Sequence, residues 1–252
     1  MKKLSISAGL LLLPIACACF ATPAQAQEAI QHAPDGHTVE HIDSIEIPTI
    51  TNAPFSAVVV TELTRILPDG SEQTTWNHRT IARDSSGRVF QERRAFTPNG
   101  NIETTRLGQL QYDDPNLHER ELCSQDLVCR TYSYNFPLPP QDASLPPIVT
   151  LPNGNTIKNE GLGSNNIEGV DVVGSRETRS IPAGVMGNQR SEDIVKEFWY
   201  SPRLGINIIT KRTDPSISSI QNFQVTKIDL SEPDPKLFQP PANYRRVSMS
   251  GN

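Results

Sequence analysis

The sequence lacks the short motifs that mark most hydrolases, nucleotide-binding proteins and calcium-binding loops. It contains no G-x-S-x-G, no P-loop, no S-x-x-K and no EF-hand loop. The neighbouring carboxylates Asp113 and Asp114 precede Pro115, and we interpret them as part of a solvated turn. The sequence therefore indicates no catalytic residue and no cofactor site.

One apparent metal motif occurs near the amino end, where His37 to His41 reads H-x-x-E-H. This inverted zinc-protease pattern requires both histidines on one rigid helix. Pro34 to Gly36 precedes it, and Ile42 to Pro48 alternates as a strand does. We therefore predict a solvated tail and no zinc-protease site. Adventitious metal binding by His32 and the two motif histidines is the alternative that stays open.

Positive charge is also scarce. Removal of Lys2 and Lys3 with a leader would leave 21 basic against 28 acidic residues, a formal charge of −7. A protein that binds phosphate backbones needs a basic patch or domain, whereas the arginines here are scattered among acids. The composition argues against a nucleic-acid partner.

The first 26 residues have the pattern of a cleavable secretory signal peptide. Lys2 and Lys3 precede an uncharged run from Leu4 to Ala21, and Ala24 and Ala26 supply the small residues of a cleavage site. We expect a mature chain that begins at Gln27 and is periplasmic or secreted, with no stable transmembrane anchor. Acylation of Cys17 or Cys19 is an alternative.

Only two cysteines, Cys123 and Cys129, remain in that mature chain. They flank a predicted turn at Ser124 to Asp126, between two strand-like segments. In an oxidising compartment such a pair can form a disulfide. A redox pair or half of a metal site is the alternative, although five intervening residues are too many for C-x-x-C. We predict a structural disulfide and no metal site.

The rest of the chain predicts a mainly β fold with little helix. We expect a flexible leader over 27–53, one β-rich domain over 54–246, and a disordered tail over 247–252. Short turns join the predicted strands, which favours a single antiparallel meander sheet, curved or half-barrel-like. Strands are predicted at 55–67, 71–83, 88–97, 109–112, 120–123, 128–134, 167–177, 194–200, 206–212 and 220–230. Turn residues occur at Pro68 to Gly70, Asp84 to Gly87, Pro98 to Gly100 and Pro152 to Gly154, and a short helix is predicted at 234–238.

Two segments have a structural and a functional interpretation. The proline tract from Phe136 to Pro147 cannot donate a continuous ladder of hydrogen bonds, so we predict a surface connector rather than a ligand for a proline-binding module. In Phe198-Trp199-Tyr200, neighbouring strand residues face opposite sides of a sheet. We interpret the three as core and cross-strand contacts, with a ligand groove lined by these rings as the functional alternative.

Several segments resemble an uncharacterised family of exported bacterial proteins. They are Pro54–Gly70, Ile81–Arg88, Ser180–Gly184, Glu197–Pro202 and Glu232–Tyr244. More remotely, the strand meander, the W-Y-S-P turn and the D-P-x-L-F-x-x-P element resemble the periplasmic lipoprotein-carrier and sigma-E-regulator (LolA-like) superfamily. That resemblance implies a half-barrel sheet that holds acyl chains or lipidated partners.

We therefore expect an exported, non-catalytic binding or interaction protein. Its partner would be an apolar, lipid-like ligand or a protein of the cell envelope. The alternative is a cell-envelope hydrolase, which would require titratable groups that converge on a water-sized gap.

Overall fold

The structure is a computed structural model. It describes Ile45 and residues 47–98, 101, 104–136, 146–215 and 219–249. The described residues do not include the predicted signal peptide, the H-x-x-E-H segment, the last two residues of the predicted Pro98 to Gly100 turn or most of the proline tract.

The described chain forms one sheet of 13 strands. In chain order the strands are β1 Phe55–Ile66, β2 Glu72–Arg83, β3 Val89–Arg94, β4 Leu107–Asp114, β5 Glu119–Ser124, β6 Val128–Ser133, β7 Ile148–Thr150, β8 Thr156–Ile167, β9 Val170–Ile181, β10 Glu192–Ser201, β11 Ile206–Asp214, β12 Ser219–Asp229 and β13 Arg245–Ser248. Their order in the sheet is β13-β6-β5-β4-β3-β2-β1-β12-β11-β10-β9-β8-β7. The sheet is open, and its pairs are antiparallel except β13 with β6. The prediction of a mainly β chain with one largely antiparallel sheet is confirmed.

Strand β1 shows why the first half of the sheet was predictable. Its Phe55, Ala57 and Val59 are buried while the residues between them are partly exposed, so one face of the strand is apolar. Gly70, with φ 82°, closes the following turn, and Asp69 accepts a hydrogen bond from the Ser71 N–H. Turn chemistry of this kind fixes the register of a hairpin.

Two hydrophobic cores lie on opposite faces of the sheet. Neighbouring residues of one strand point to opposite faces, and the neighbours Ile81 and Ala82 of β2 belong to different cores. The first core is centred on β1, β9, β11 and β12, and the second lies over β3 to β6. Each half of the sheet is therefore stabilised from a different side.

The structure differs from the sequence prediction at one predicted strand and at three strands that were not predicted. The single strand predicted over 167–177 is interrupted, because Glu168 and Gly169 have φ of 53° and 79° and form a tight turn between β8 and β9. Strands β7 and β8 were not predicted, since β8 is mostly exposed and contains two glycines. Strand β13 was also missed, because its pairing with β6 joins segments far apart in sequence.

Described residues on both sides of the predicted domain contact the sheet. The described end of the predicted flexible leader packs on the sheet: Ile45 and Ile47 are buried in the first core, because they are apolar residues two apart on an extended segment. The Arg83 side chain holds this segment by donating to the carbonyls of Pro48 and Ala53. At the other end, β13 extends to Ser248, two residues into the predicted tail.

Candidate ligand cleft

The carboxyl-terminal segment crosses one face of the sheet. Its 3₁₀ helix, Pro235–Phe238, contacts β3, and β13 pairs with β6. Because β4 and β5 lie between those strands, the chain that joins them crosses both. Asp234 starts the helix by accepting the Lys236 N–H, and proline at the first helical position suits a helix start. We call residues 235–244 the C-terminal strap.

A cleft of about 370 Å³ lies between the strap and the hairpin of β4 and β5. This volume is within the usual range of small-ligand sites. Its lining comprises Arg88, Val89, Tyr112, Asp113, Asp114, Leu117, Glu119, Glu121, Phe238, Gln239, Pro240, Pro241, Ala242, Tyr244 and Arg246. The cleft therefore has aromatic and proline walls with charged groups around them.

Arginine contacts hold both ends of the strap. At one end the Arg88 guanidinium lies 5.2 Å from the Phe238 ring centre and forms an ion pair with Asp84. At the other end Arg246 donates two hydrogen bonds, of 2.7 and 2.6 Å, to the buried Glu121 carboxylate. These bonds raise the pKa of Arg246. Bidentate pairing of this kind fixes direction as well as distance.

The interpretation of Asp113 as part of a solvated turn was wrong. Asp113 is buried, and Arg120 donates to its two carboxylate oxygens at 2.7 and 2.9 Å. The same guanidinium lies 3.8 Å from the Tyr134 ring centre. An arginine seven residues away neutralises the carboxylate, which is why Asp113 can be buried.

Tyr112 forms the floor of the cleft. It is 8% exposed, and its ring centre lies 5.4 Å from that of Phe90. Burial, together with the charges of Glu121 and the nearby Tyr244 hydroxyl, raises the pKa of Tyr112 well above its ordinary value. The phenol is therefore protonated at neutral pH and can donate a hydrogen bond.

The predicted aromatic cluster lies elsewhere, on β10. Phe198 is 1% exposed, and Trp199 packs against the first core while its Nε1 donates to Glu197 at 3.2 Å. Tyr200 is half-buried. None of these three residues lines the cleft. A ligand groove at these rings stays a prediction.

The close packing of Trp199 against Gly174 leads to a testable prediction. A Cβ added at Gly174 would lie 2.8 Å from Trp199 Cζ3 and 2.9 Å from Leu162 Cβ. Overpacking of this kind typically costs 1–3 kcal/mol, so Gly174→Ala should lower the free energy of unfolding by about 2 kcal/mol in urea denaturation. Gly161→Ala is the matched control, because nothing lies within 4 Å of its added Cβ. Equal effects at the two glycines would contradict the prediction.

The disulfide excludes one apparent metal site. Among the described residues, Glu121, Cys123 and Cys129 bring their ligand atoms within 4.8 Å of one another. The two sulfurs, however, form a disulfide between β5 and β6. A metal would need thiolates, so this group is structural.

Sequence reasoning missed the cleft because its two sides are distant in sequence. Glu121 and Arg246 are separated by 125 residues, and no local periodicity joins them. The available signal was the D-P-x-L-F-x-x-P element itself, whose Phe238 packs on the second core. Prolines that follow such an aromatic residue are typical of an extended segment that crosses a surface.

No family model matches this chain, and no curated protein matches it. Among solved structures, an uncharacterized conserved protein from Thermus thermophilus is 9% identical, with a TM-score of 0.39 over 78% of this chain and 90% of that chain. The Pseudomonas aeruginosa MucA/MucB complex is 15% identical, with a TM-score of 0.35 over 78% of this chain and 58% of that chain. A LolA superfamily protein from Nitrosomonas europaea is 11% identical, with a TM-score of 0.28 over 77% of this chain and 93% of that chain.

The similar structures thus include one protein of the superfamily that the sequence resembles. Within the described part of the chain, no helix is both long and apolar enough to cross a bilayer.

Proposed function

We propose that this chain is an exported, non-catalytic binding protein of the cell envelope, and that the cleft beneath the C-terminal strap is its binding site. This proposal rests on the cleft, where aromatic side chains border about 370 Å³ of space. Arginines hold the carboxylates of Asp113 and Glu121 by bidentate hydrogen bonds. Such groups orient a site but are poorly suited to exchanging protons with a substrate. The disulfide and the signal-peptide pattern support export.

The lining favours a protein segment over an acyl chain as the occupant. Four carboxylates border the cleft, and an acyl chain would remove water from them without providing hydrogen bonds. A peptide segment provides both apolar side chains for the walls and polar groups for the rim. A hydrolase is less well supported, because arginines hold the Asp113 and Glu121 carboxylates with two hydrogen bonds each.

A photo-crosslinking experiment in the producing bacterium tests this proposal. A benzophenone amino acid is placed at Leu117, a cleft residue that is 65% exposed, or at Ile148, which is 63% exposed on β7. We expect a discrete adduct from position 117 only. Ala242→Trp should remove it by filling the cleft, whereas Asn243→Trp, at an exposed residue outside the lining, should not.

The adduct distinguishes the two kinds of occupant. If the adduct contains peptides of a second protein, the occupant is a protein segment, as proposed. If its added mass is that of a lipid, the occupant is an apolar ligand instead. The same adduct from both positions, or an adduct unchanged by Ala242→Trp, would show that the cleft is not the binding site.

A further inference from the structure

The cleft carries an excess of negative charge. Its lining contains four carboxylates, those of Asp113, Asp114, Glu119 and Glu121, against the guanidinium groups of Arg88 and Arg246. Outside the lining, Arg120 pairs with Asp113 and Asp84 pairs with Arg88. The positive charge of Arg120 and the negative charge of Asp84 cancel, so the formal charge of the site stays at −2. A cationic occupant would complement this charge.

Most of the excess negative charge lies at the end of the β4–β5 hairpin. Asp114 and Glu119 are directly opposite each other in the register of this antiparallel pair, and like charges at such positions are destabilising. The Asp114 carboxylate accepts the N–H groups of Asn116 and Leu117, which fixes it in the turn. Glu119 is half-buried and forms no ion pair or side-chain hydrogen bond within the described part of the chain, and its charge contributes, after that of Glu121, to raising the pKa of Arg246.

A polar group without an intramolecular partner points to the same place. Tyr112 is 8% exposed, and within the described residues its hydroxyl forms no hydrogen bond. The hydroxyl oxygen itself is not fully buried, so it is open to solvent and to a ligand. Because Tyr112 lines the cleft, a ligand there can supply the partner that water otherwise provides.

The spacing of the acids argues for an organic cation rather than a metal ion. Within the described residues, the group with three ligand atoms inside 4.8 Å is the disulfide group with Glu121, and it excludes Asp114 and Glu119. A divalent ion needs several oxygen atoms at once. An extended cation with an alkyl stem instead needs only its charged end at these two acids, while the stem covers the Tyr112 and Tyr244 rings.

We infer that the cleft binds an alkylammonium group, whose ammonium lies at the Asp114–Glu119 end and whose stem lies along Tyr112 and Tyr244. This inference rests on the proposed function of the cleft. Two sources have this chemistry: a free polyamine, and a lysine side chain on an extended peptide.

Titration of the exported protein with three probes tests the inference. They are spermidine, a short peptide with a central lysine, and the same peptide with that lysine acetylated, followed by calorimetry and by amide chemical shifts. We expect binding of at least one cationic probe, weaker at higher salt, and no binding of the acetylated peptide. Preference for spermidine or for the lysine peptide identifies the source.

Three variants locate the cation. Glu119→Gln should weaken binding about five-fold, as expected for loss of one partly exposed ion pair. Tyr112→Phe, which removes only the hydroxyl, should weaken it about three-fold with the unfolding midpoint unchanged. The control Glu72→Gln removes the same charge from an exposed residue at the start of β2 and should have no effect.

The outcomes separate this inference from the proposed function. If the acetylated peptide shifts the cleft amides as strongly as the lysine peptide, or if Glu119→Gln binds normally, the inference is wrong while binding at the cleft stands. If no probe shifts the cleft amides, the inference is wrong. If Leu117 also yields no adduct in the crosslinking experiment, the proposed function is wrong as well.

Discussion

Replacing Arg83 by methionine is expected to lower the free energy of unfolding by about 3 kcal/mol. Arg83 is 0% exposed, and it donates from Nε to the Ala53 carbonyl at 2.9 Å and from Nη1 to the Pro48 carbonyl at 2.8 Å. Its guanidinium also lies 5.1 Å from the Phe55 ring centre. Methionine fills similar space but leaves both carbonyls without their charged donor. Urea denaturation at neutral pH measures the change.

Two further variants separate the hydrogen bonds from general effects of losing an arginine. Arg83→Lys keeps the positive charge but lacks the planar guanidinium that donates to both carbonyls. The free energy of unfolding of this variant should therefore lie between those of Arg83→Met and the wild-type protein. Arg65→Met removes an exposed arginine from β1 and should change stability by less than about 0.5 kcal/mol. The Arg83→Met variant should also become sensitive to proteolysis within residues 47–53. A variant as stable and as protected as wild type would show that Arg83 does not hold this segment.

The contrast between Arg83 and Phe55 shows how far the sequence predicts the fold. Phe55 opens a run that is rich in β-branched strand formers, and β1 was accordingly predicted. Arginine is a residue type that is seldom fully buried, so no pattern in the sequence indicated that Arg83 would hold an extended segment. Burial lowers the pKa of Arg83 to about 10, which reflects the cost of placing that charge inside the protein.

The same reasoning applies to the cleft. Local patterns predicted the strands β4 and β5 and the short helix, because each depends on residues close in sequence. The cleft depends on the Glu121–Arg246 pair, which forms only after the strap has crossed the sheet. Such pairs are properties of topology, and one sequence without its topology does not specify them.

Loss of the Cys123–Cys129 disulfide is expected to have a similarly large effect. The two residues are directly opposite each other in the β5–β6 pair, with Cα atoms 3.9 Å apart, and they are 1% and 0% exposed. In the chain-entropy model, closing a loop of this length stabilises the native state by about 2 kcal/mol. Replacing both cysteines by alanine also removes buried sulfur atoms from the second core. The double variant should therefore lose about 3 kcal/mol.

Reduction separates these two contributions, because it opens the loop without changing the side-chain volume. We expect a reductant to lower the free energy of unfolding of the wild-type protein by about 2 kcal/mol and to leave the double-alanine variant unchanged. The oxidised protein should contain no free thiol after export, as thiol titration under denaturing conditions would show. Free thiols, or a wild-type unfolding midpoint that does not respond to reductant, would contradict a stabilising disulfide.

Because the sulfur atoms do not line the cleft, the crosslink from Leu117 should persist in the folded double variant. Its loss at full stability would instead indicate that the cysteine pair takes part in binding.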